Sequence, residues 1–298
     1  MSPARVDAFL AGARAPVDAA LAEVVQDAGT GPLPDAVRYA LDAGGKRLRP
    51  ILCVAAYRAV AGDVPAPVYR LAASLELIHT YSLIHDDLPG MDDDDVRRGR
   101  PATHVAQGEA VATLAAAALI PLAARVVLDA GRDLKLPDGV RRDLVGTLCA
   151  AAGGGGMVGG QALDLEAEGR QVTLDELERI HRKKTAALLA AAPVMGGLAA
   201  GADDAARDAF ATYGRALGLA FQIADDILDV TGDTAVLGKT AGRDTELEKA
   251  TFPALEGLAE ARARANAEVG RALGALDADG IRSEALSALA RFAIARDR

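Results

Sequence analysis

The chain is poor in aromatic residues, in cysteine and in positive charge. Aromatic residues make up 3% of its 298 positions and tryptophan is absent, so the core must consist mainly of alanine, leucine and valine. Two cysteines do not make a disulfide framework, and because Cys53 and Cys149 lie in apolar, helix-like runs, we expect two buried free thiols. The net charge of -9 is the opposite of the basic surface that binds nucleic acid, and we expect no nucleic-acid partner.

Hydrophobic runs long enough for a membrane span are also scarce. The N-terminal stretch mixes charged and apolar residues and lacks the apolar region of a signal peptide. Residues 110–124 and 185–202 carry no charge, but the first run is shorter than the roughly 18 residues of a membrane span, and the second contains Pro193 and three glycines. We expect both segments to form buried core helices, without membrane insertion, in a cytoplasmic protein.

Helical periodicity dominates the pattern of apolar residues. Leu71, Leu75 and Ile78 follow one another at helical spacing, and strictly alternating β-branched runs are absent. Neither a change in composition nor a repeat of fixed period marks a boundary, so we expect one all-α domain over residues 1–298. The segment 153–160, with six glycines, is open to two interpretations: a loop, or a helix that a neighbour or ligand approaches closely.

The stretch HDDLPGMDDDDVRRGRP, residues 85–101, places six aspartates within ten positions, and three arginines follow. An apolar helix leads up to Asp86, and helical spacing puts Ser82 one turn and His79 two turns before it on the same face. Because a Pro-Gly pair interrupts that helix, we expect Asp92 to return beside Asp86 after a bulge. So much like charge is unfavourable unless a cation or the arginines offset it.

A second acidic stretch, FQIADDILDVTGD, lies about 140 residues after the first. On a helix, Gln222, Asp225 and Asp229 share one face, while the residues between them include apolar ones suited to packing. Buried carboxylates are costly unless they are paired or bind a metal. Oxygen-only ligands favour a hard cation, Mg²⁺ rather than zinc, and Mg²⁺ bound by few carboxylates typically bridges to substrate phosphates.

Basic residues adjoin both acidic stretches, as binding of a phosphate-bearing substrate requires. In GGKRLRP, two glycines precede the cations, and their missing side chains would let a phosphate approach the backbone. The candidate cations, in chain order, are Lys46, Arg47, Arg49, Arg97, Arg98, Lys183, Lys184, Lys239 and Arg243. Together with the acidic stretches they predict a site for magnesium and a phosphate-bearing substrate.

These motifs resemble those of the trans-isoprenyl diphosphate synthases. DDLPGMD and DDILD are similar to the two aspartate-rich motifs of that family, and GGKRLRP, RRGRPATH, GGQALDLEAEG, HRKKT and LGKTAG occur in the family's order. The resemblance spans about Gly44 to Pro253, and the four-residue spacer before Asp92 resembles that of bacterial farnesyl diphosphate synthases. The chain is therefore identified as a member of this family.

The resemblance implies a helical bundle around a central cavity, a homodimer and about three Mg²⁺ ions per site, with Mn²⁺ as a possible substitute. The implied reaction adds isopentenyl diphosphate to dimethylallyl and then geranyl diphosphate, which yields (2E,6E)-farnesyl diphosphate. The implied metal ligands are Asp86, Asp92 and Asp225, with support from Asp229 and Asp87. The implied allylic diphosphate ligands are Arg97, Lys184, Thr185, Gln222, Lys239 and Lys249. The implied isopentenyl diphosphate ligands are Lys46, Arg49, His79 and Arg98.

The family also implies how product length is set. Tyr81 precedes Asp86 by five residues, or about 7.5 Å along a helix. With Ser82 beside it, Tyr81 resembles the aromatic floor that stops growth at fifteen carbons. Ordinary core packing of Tyr81 is the alternative, and a C10 or C20 product remains open.

Three other classes of function stay open at this point. A terpene cyclase would share the ionisation step but would need no second diphosphate site. An HD-type metal phosphohydrolase would use His79, His85, Asp86 and Asp229 and would prefer a transition metal. A non-catalytic partner subunit would be inactive alone. None of the three accounts for all the motifs together.

Overall fold

A computed structural model describes residues 3–27, 29–231 and 250–295 of the chain. Within these ranges the helices are α1 Pro3–Gln26, α2 Pro32–Asp42, α3 Leu48–Ala61, α4 Ala66–Asp86, α5 Thr103–Gln107, α6 Glu109–Asp133, α7 Asp138–Ala152, α8 Met157–Ala167, α9 Leu174–His181, α10 Ala187–Ala200, α11 Asp204–Thr231, α12 Phe252–Glu256, α13 Leu258–Ala278 and α14 Glu284–Ile294. A π-helical turn, Arg182–Ala186, joins α9 to α10. The predicted all-α fold is confirmed.

The strands in the described part of the chain form one short hairpin, β1 Val96–Arg97 and β2 Arg100–Pro101. Its two-residue turn has positive φ angles at Arg98 (54°) and Gly99 (74°), which is the backbone conformation that a tight hairpin requires. The hairpin follows the first acidic stretch directly. It thereby places the side chains of Arg97, on β1, and Arg98, in the turn, in different surroundings.

Helix α4 runs through the core and packs against α1, α3, α6 and α10. Its apolar residues are buried on nearly all sides, because neighbouring helices surround it up to the acidic end. Helix α10, within the uncharged segment 185–202, is likewise buried, as expected. The helix that carries the first acidic stretch therefore ends at a fixed place in the core.

The expected burial of both cysteines is half right. Cys53 is buried on α3, whereas Cys149 on α7 is exposed. The buried side chains of α7 include Leu144, Leu148 and Ala151, at the spacing of one helical face, and Cys149 lies off that face. The prediction for Cys149 was wrong because an apolar local sequence does not reveal which face of a helix meets the core.

Helix α6 is longer and more exposed than its uncharged segment suggested. By length and composition alone, α6 could cross a membrane. In this structure, 39% of its most apolar 18-residue stretch is buried. One face, with Ala112, Ala116, Leu119 and Ala123, packs in the core. The opposite face exposes large apolar side chains: Leu114 at 58%, Ile120 at 42% and Leu128 at 37%. The expectation of a buried core helix thus holds for one face only.

Small residues let α3 and α10 approach each other closely. A Cβ atom added at Gly196 of α10 would collide with the backbone carbonyl oxygen of Cys53 on α3. Backbone atoms cannot move aside as a flexible side chain can, so glycine is required at this crossing. The crossing holds α10 against the helix that follows the GGKRLRP loop.

Gly196→Ala should destabilise the protein by about 1–3 kcal/mol, because the added methyl overpacks the α3–α10 contact. Gly270→Ala is the matched control: Gly270 lies on α13 with no atom within 4 Å of the added Cβ, and alanine there should stabilise the helix by about 0.5–1 kcal/mol. Urea unfolding of the two variants measures both effects. Equal stability of Gly196→Ala and the unaltered protein would contradict this packing.

Candidate active site

A cavity of about 390 Å³ opens between α4, α8, the π turn and α11. Its lining brings together residues from both acidic motifs, the HRKKT segment and the proposed floor. The predicted site residues among the lining are Arg49, His79, Tyr81, Ser82, Asp86, Lys184, Thr185, Gln222 and Asp225. Residues separated by more than 170 positions in the chain thus share one cavity.

The first acidic stretch doubles back on itself at the end of α4. The backbone N–H of Asp92 donates to the carbonyl oxygen of Asp86 at 2.8 Å, and that of Asp94 donates to the carbonyl oxygen of Asp87 at 3.2 Å. The expected return of Asp92 to the side of Asp86 is confirmed. The Pro-Gly interruption turns the chain, and these backbone hydrogen bonds hold the turn in place.

Asp86 carries an unusually unfavourable charge. Burial raises the pKa of Asp86 to about 6, and Asp92 adds to the rise, while Lys184 and Arg97 oppose it. Asp225 faces the same cavity from α11. Asp86 and Asp225 thus present carboxylate oxygens from two walls of the cavity, and the raised pKa of Asp86 shows that its charge is unfavourable without a cation. Such oxygen ligands fit a hard divalent cation such as Mg²⁺.

The described ranges hold no group of three histidine, cysteine, aspartate or glutamate side chains that could bind a metal by themselves. Few protein ligands are what Mg²⁺ needs, because it retains waters and binds substrate phosphates. A histidine-rich transition-metal site, as an HD-type phosphohydrolase requires, is not formed by His79 and His85 with Asp86 and Asp229.

Arg97 lies beside the main cavity and does not line it. Its Nε donates to Asp87 Oδ1 at 2.9 Å, its Nη2 also contacts that oxygen, and Nη2 lies 3.4 Å from Asp94 Oδ2. Asp87 is buried, so this ion pair neutralises a carboxylate that would otherwise be isolated. In this structure Arg97, predicted to bind the allylic diphosphate, and Asp87, predicted to support the metals, bind each other.

The second acidic motif contains a structural aspartate that the sequence analysis missed. Asp226 is buried and accepts hydrogen bonds from Gln222 Nε2 at 3.0 Å and from the backbone N–H of Phe252 at 3.1 Å. The Thr185 hydroxyl donates to Gln222 Oε1 at 2.9 Å. Asp226 thus orients Gln222 toward Thr185. Its position four residues after Gln222, on the same helical face, was the available signal.

Asp229 lies one turn beyond Asp225 on α11 and is buried, but it is not among the residues that line the main cavity. Lys239 and Lys249 lie outside the described residues. The predicted roles of these three residues remain predictions.

The glycine-rich segment is partly a turn and partly a helix, so each of the two interpretations holds for one portion. The first four glycines form a turn, and Gly159 and Gly160 belong to α8. A Cβ atom at Gly160 would collide with the backbone of Lys184 in the π turn. Lys184 Nζ pairs with Asp164 Oδ2 at 2.6 Å, a partner from the quoted GGQALDLEAEG motif that the sequence analysis did not assign. Close packing at Gly160 therefore places Lys184 at the cavity.

The floor region contains the predicted Tyr81 and one residue that sequence reasoning missed. Tyr81 is buried, lines the cavity and lies 4.8 Å from the His85 ring, centroid to centroid. Ser82 Oγ donates to the His79 carbonyl oxygen at 2.9 Å. Gln161 lines the same space, and neither amide atom of its side chain has a hydrogen-bond partner among the described residues.

A second cavity, of about 660 Å³, adjoins the first and shares Arg49, His79 and Phe221 with it. All four residues predicted to bind isopentenyl diphosphate line it, including Lys46 and Arg98. Burial lowers the pKa of Arg49 to about 10, so the guanidinium remains charged at neutral pH. Burial and the nearby arginines hold the pKa of His79 well below its usual range, so its ring is neutral. The cavity therefore presents a strongly cationic site next to the cavity that Asp86 and Asp225 line.

The geometry brings residues of two acidic motifs, a cluster of cationic side chains and Tyr81 into adjoining cavities. A family model described as polyprenyl synthetase matches residues 31–289. The chain belongs to the polyprenyl synthetase family. For this polyprenyl synthetase, the predicted family, the predicted enzyme class of prenyltransferases and the helical fold are confirmed.

Named relatives of this polyprenyl synthetase match most of the chain. Farnesyl diphosphate synthase of Escherichia coli (strain K12) is 47% identical over 276 residues, 90% of each chain. Farnesyl diphosphate synthase of Geobacillus stearothermophilus is 42% identical over 298 residues, 100% of each chain. Among solved structures, the chain resembles geranyltransferase from Helicobacter pylori complexed with magnesium and isoprenyl diphosphate. The two sequences are 31% identical, the TM-score is 0.80, and the match covers 99% of this chain and 97% of that one.

Asp86→Asn should abolish activity and stabilise the metal-free protein at about pH 7.5, by up to about 3 kcal/mol. A raised carboxyl pKa means that stability is lost as pH rises through about 6, so the difference from wild type should shrink toward about pH 4. Chemical unfolding in excess chelator across this pH range measures it. Asp208→Asn, exposed on α11, is the control and should change neither property. Lower stability of Asp86→Asn at about pH 7.5 would contradict the burial argument.

Proposed function

We propose that this polyprenyl synthetase condenses isopentenyl diphosphate with dimethylallyl diphosphate and then with geranyl diphosphate, forming (2E,6E)-farnesyl diphosphate. The observation that carries the proposal is that Asp86, Asp225 and Lys184 line the same cavity as Tyr81. The farnesyl diphosphate synthases among its relatives support the same product.

Magnesium is the cofactor that the acidic motifs fit, with Asp86, Asp92 and Asp225 as its proposed ligands and about three ions as the family resemblance implies. When bound, Mg²⁺ would neutralise the diphosphate leaving group, a task in which Mn²⁺ can substitute. The Helicobacter pylori structure with magnesium and isoprenyl diphosphate supports this choice. Asp229, buried one turn after Asp225, supports the set from within the helix.

The chain's own residues bind and orient the allylic substrate. Lys184, with Thr185 and Gln222 beside it, offers a cation and two polar groups to the diphosphate oxygens. Asp164 fixes the Lys184 side chain in place, and Asp226 fixes Gln222, so little ordering is left to occur at the moment of reaction. Arg97 is also proposed to bind the diphosphate. To do so, its guanidinium would leave Asp87 and pair with the substrate instead. Lys239 and Lys249 complete the proposed set.

The second cavity would hold isopentenyl diphosphate through Lys46, Arg49, His79 and Arg98. Because this cavity adjoins the main cavity and shares Arg49, His79 and Phe221 with it, isopentenyl diphosphate bound here would have its double bond near the allylic carbon. The allylic C–O bond breaks, the double bond attacks the resulting cation, and the released diphosphate takes the proton lost from the adduct. Apolar walls that include Met157 and Phe221 would keep water from the cation.

The exposed apolar face of α6 supports a homodimer. Leu114, Ile120 and Leu128 lie along one side of the helix and are partly exposed in the single chain. Exposed large apolar side chains along one side of a helix are typical of protein–protein interfaces, and a second copy of the chain would cover them. We therefore propose a cytoplasmic homodimer of single-domain subunits without membrane insertion.

The proposed reaction is tested by product analysis. Purified protein is incubated with Mg²⁺, dimethylallyl diphosphate and excess isopentenyl diphosphate, and the dephosphorylated alcohols are separated by chain length. We expect mainly farnesol and no product in chelator. Mainly geraniol or geranylgeraniol would support the proposed condensation reaction but would overturn the C15 product in favour of a C10 or C20 product. No condensation with Mg²⁺ or Mn²⁺ would overturn the proposed function.

Tyr81→Ala should shift the product toward longer alcohols, because removing the ring deepens the cavity below Asp86. Tyr81→Phe keeps the ring without its hydroxyl and should still give mainly farnesol. The readout is the ratio of C20 to C15 product at equal conversion. An unchanged ratio in Tyr81→Ala would show that Tyr81 is ordinary core.

The dimer is tested by light scattering after size exclusion. The unaltered protein should elute with twice its chain mass, and Leu114→Glu should shift it toward the monomer, because a carboxylate would be buried in the interface. Val60→Glu, at an exposed apolar position on α3, is the control and should remain dimeric. A monomeric wild-type protein would contradict the proposal.

A further inference from the structure

Lys46, Arg47 and Arg49 look equivalent in the sequence, yet Arg47 occupies a different environment. Lys46 is exposed, whereas the Arg47 side chain is 5% exposed. The Arg47 guanidinium donates to four protein oxygens: Asp18 Oδ1 at 2.8 Å, Glu76 Oε1 at 2.8 Å, the Gly44 carbonyl oxygen at 3.0 Å and the Leu41 carbonyl oxygen at 2.8 Å. Four of its five N–H donors are thus used within the protein.

Glu76 is the acidic partner in this network. It lies on α4, three residues before His79, and its side chain is 2% exposed. Among the described residues that line the second cavity, Glu76 is the only acid, while the cations are Arg14, Lys46, Arg47, Arg49 and Arg98. Its charge raises the pKa of Arg49 and of Arg98 against the larger lowering effect of burial. Glu76 therefore offsets repulsion among the cations before any anion arrives.

Arg47 also determines the path of the loop that carries Lys46. It precedes α3 with a left-handed φ of 50°, after Gly44 and Gly45 at φ 81° and 128°. Arg98 donates to the same Gly44 carbonyl oxygen as Arg47 does. The Arg98 guanidinium lies 2.7 Å from the position of a Cβ at Gly45. One backbone oxygen therefore links Arg47 on the α3 side to Arg98 on the hairpin.

We propose that the buried Arg47–Glu76 pair is the positioning element of the isopentenyl diphosphate site. Arg47 does not bind the diphosphate; it holds the loop and, through Gly44, the Arg98 side chain, so that Lys46, Arg49 and Arg98 converge on one anion. The identity of that anion rests on the proposed function. Glu76 acts as the fixed counter-charge that ties the loop to α4 and thereby to His79.

Arg47→Lys separates positioning from direct binding. Lysine keeps the positive charge, but its single ammonium group cannot reach four oxygens spread around a planar guanidinium. We expect the Kd and KM for isopentenyl diphosphate to rise about tenfold or more, with the KM for the allylic substrate changed less than about twofold. Near wild-type affinity for isopentenyl diphosphate in Arg47→Lys would overturn the proposal, since charge alone would then suffice.

Affinity is measured by calorimetry, with a non-ionising dimethylallyl thiolodiphosphate in the allylic site so that no turnover occurs. Asp18→Asn is the second variant, because Asp18 is half-buried and contributes one of the four contacts. It should weaken isopentenyl diphosphate binding in the same direction but less, and it remains informative should Arg47→Lys fail to fold. An unchanged affinity in Asp18→Asn beside a misfolded Arg47→Lys would count against the proposal.

Arg70→Lys is the matched control, because Arg70 pairs with Asp133 elsewhere on α4 and should leave both KM values unchanged. Binding without condensation in the unaltered protein would defeat the proposed function and leave the positioning role supported, provided that Arg47→Lys still weakens binding. Parallel rises in both KM values in a folded Arg47→Lys would overturn the positioning role alone. A wild-type protein that does not bind isopentenyl diphosphate would overturn both.

Discussion

Charged groups of both signs lie around the main cavity, and the ion pairs that form among them leave Asp86 without a full counter-charge. Lys184 pairs with Asp164, and Arg97 pairs with Asp87, so both cations have carboxylate partners other than Asp86. Asp86 is half-buried, and the burial it has raises its pKa. A buried carboxylate without a full counter-charge costs stability, and a cation restores it. The raised pKa of Asp86 therefore marks a local cost in stability that the proposed metal ion would offset.

Small residues supply the close approaches that this arrangement requires. Gly160 lets α8 lie against the π turn, and the turn aims Lys184 into the cavity. Gly196 lets α10 lie against α3, which begins directly after the cationic loop. With few aromatic side chains to fill space, precise helix contacts through alanine and glycine maintain the packing. π turns are frequent at functional sites because they displace side chains from regular helical spacing.

Helical spacing predicted the first acidic wall well. Asp86, Ser82 and His79 line the adjoining cavities from one face of α4, and Asp92 returns to Asp86 as the Pro-Gly interruption indicated. The same reasoning was wrong for Cys149, because an apolar stretch does not reveal which face lies in the core. Spacing puts Asp226 one turn after Gln222, but it could not reveal the second partner, the backbone of Phe252, which is 26 residues away in the chain.

The sequence by itself determined the helical class, the two acidic motifs and the family, because these depend on local periodicity and on residues at fixed spacing. Only the tertiary structure decided which charged side chains have buried partners within the protein. Arg47 and Arg49 are two residues apart, yet Arg47 binds Asp18 and Glu76, while Arg49 lines both cavities. Such partners come from distant helices, and the ionisation of a buried group depends on every charge packed around it.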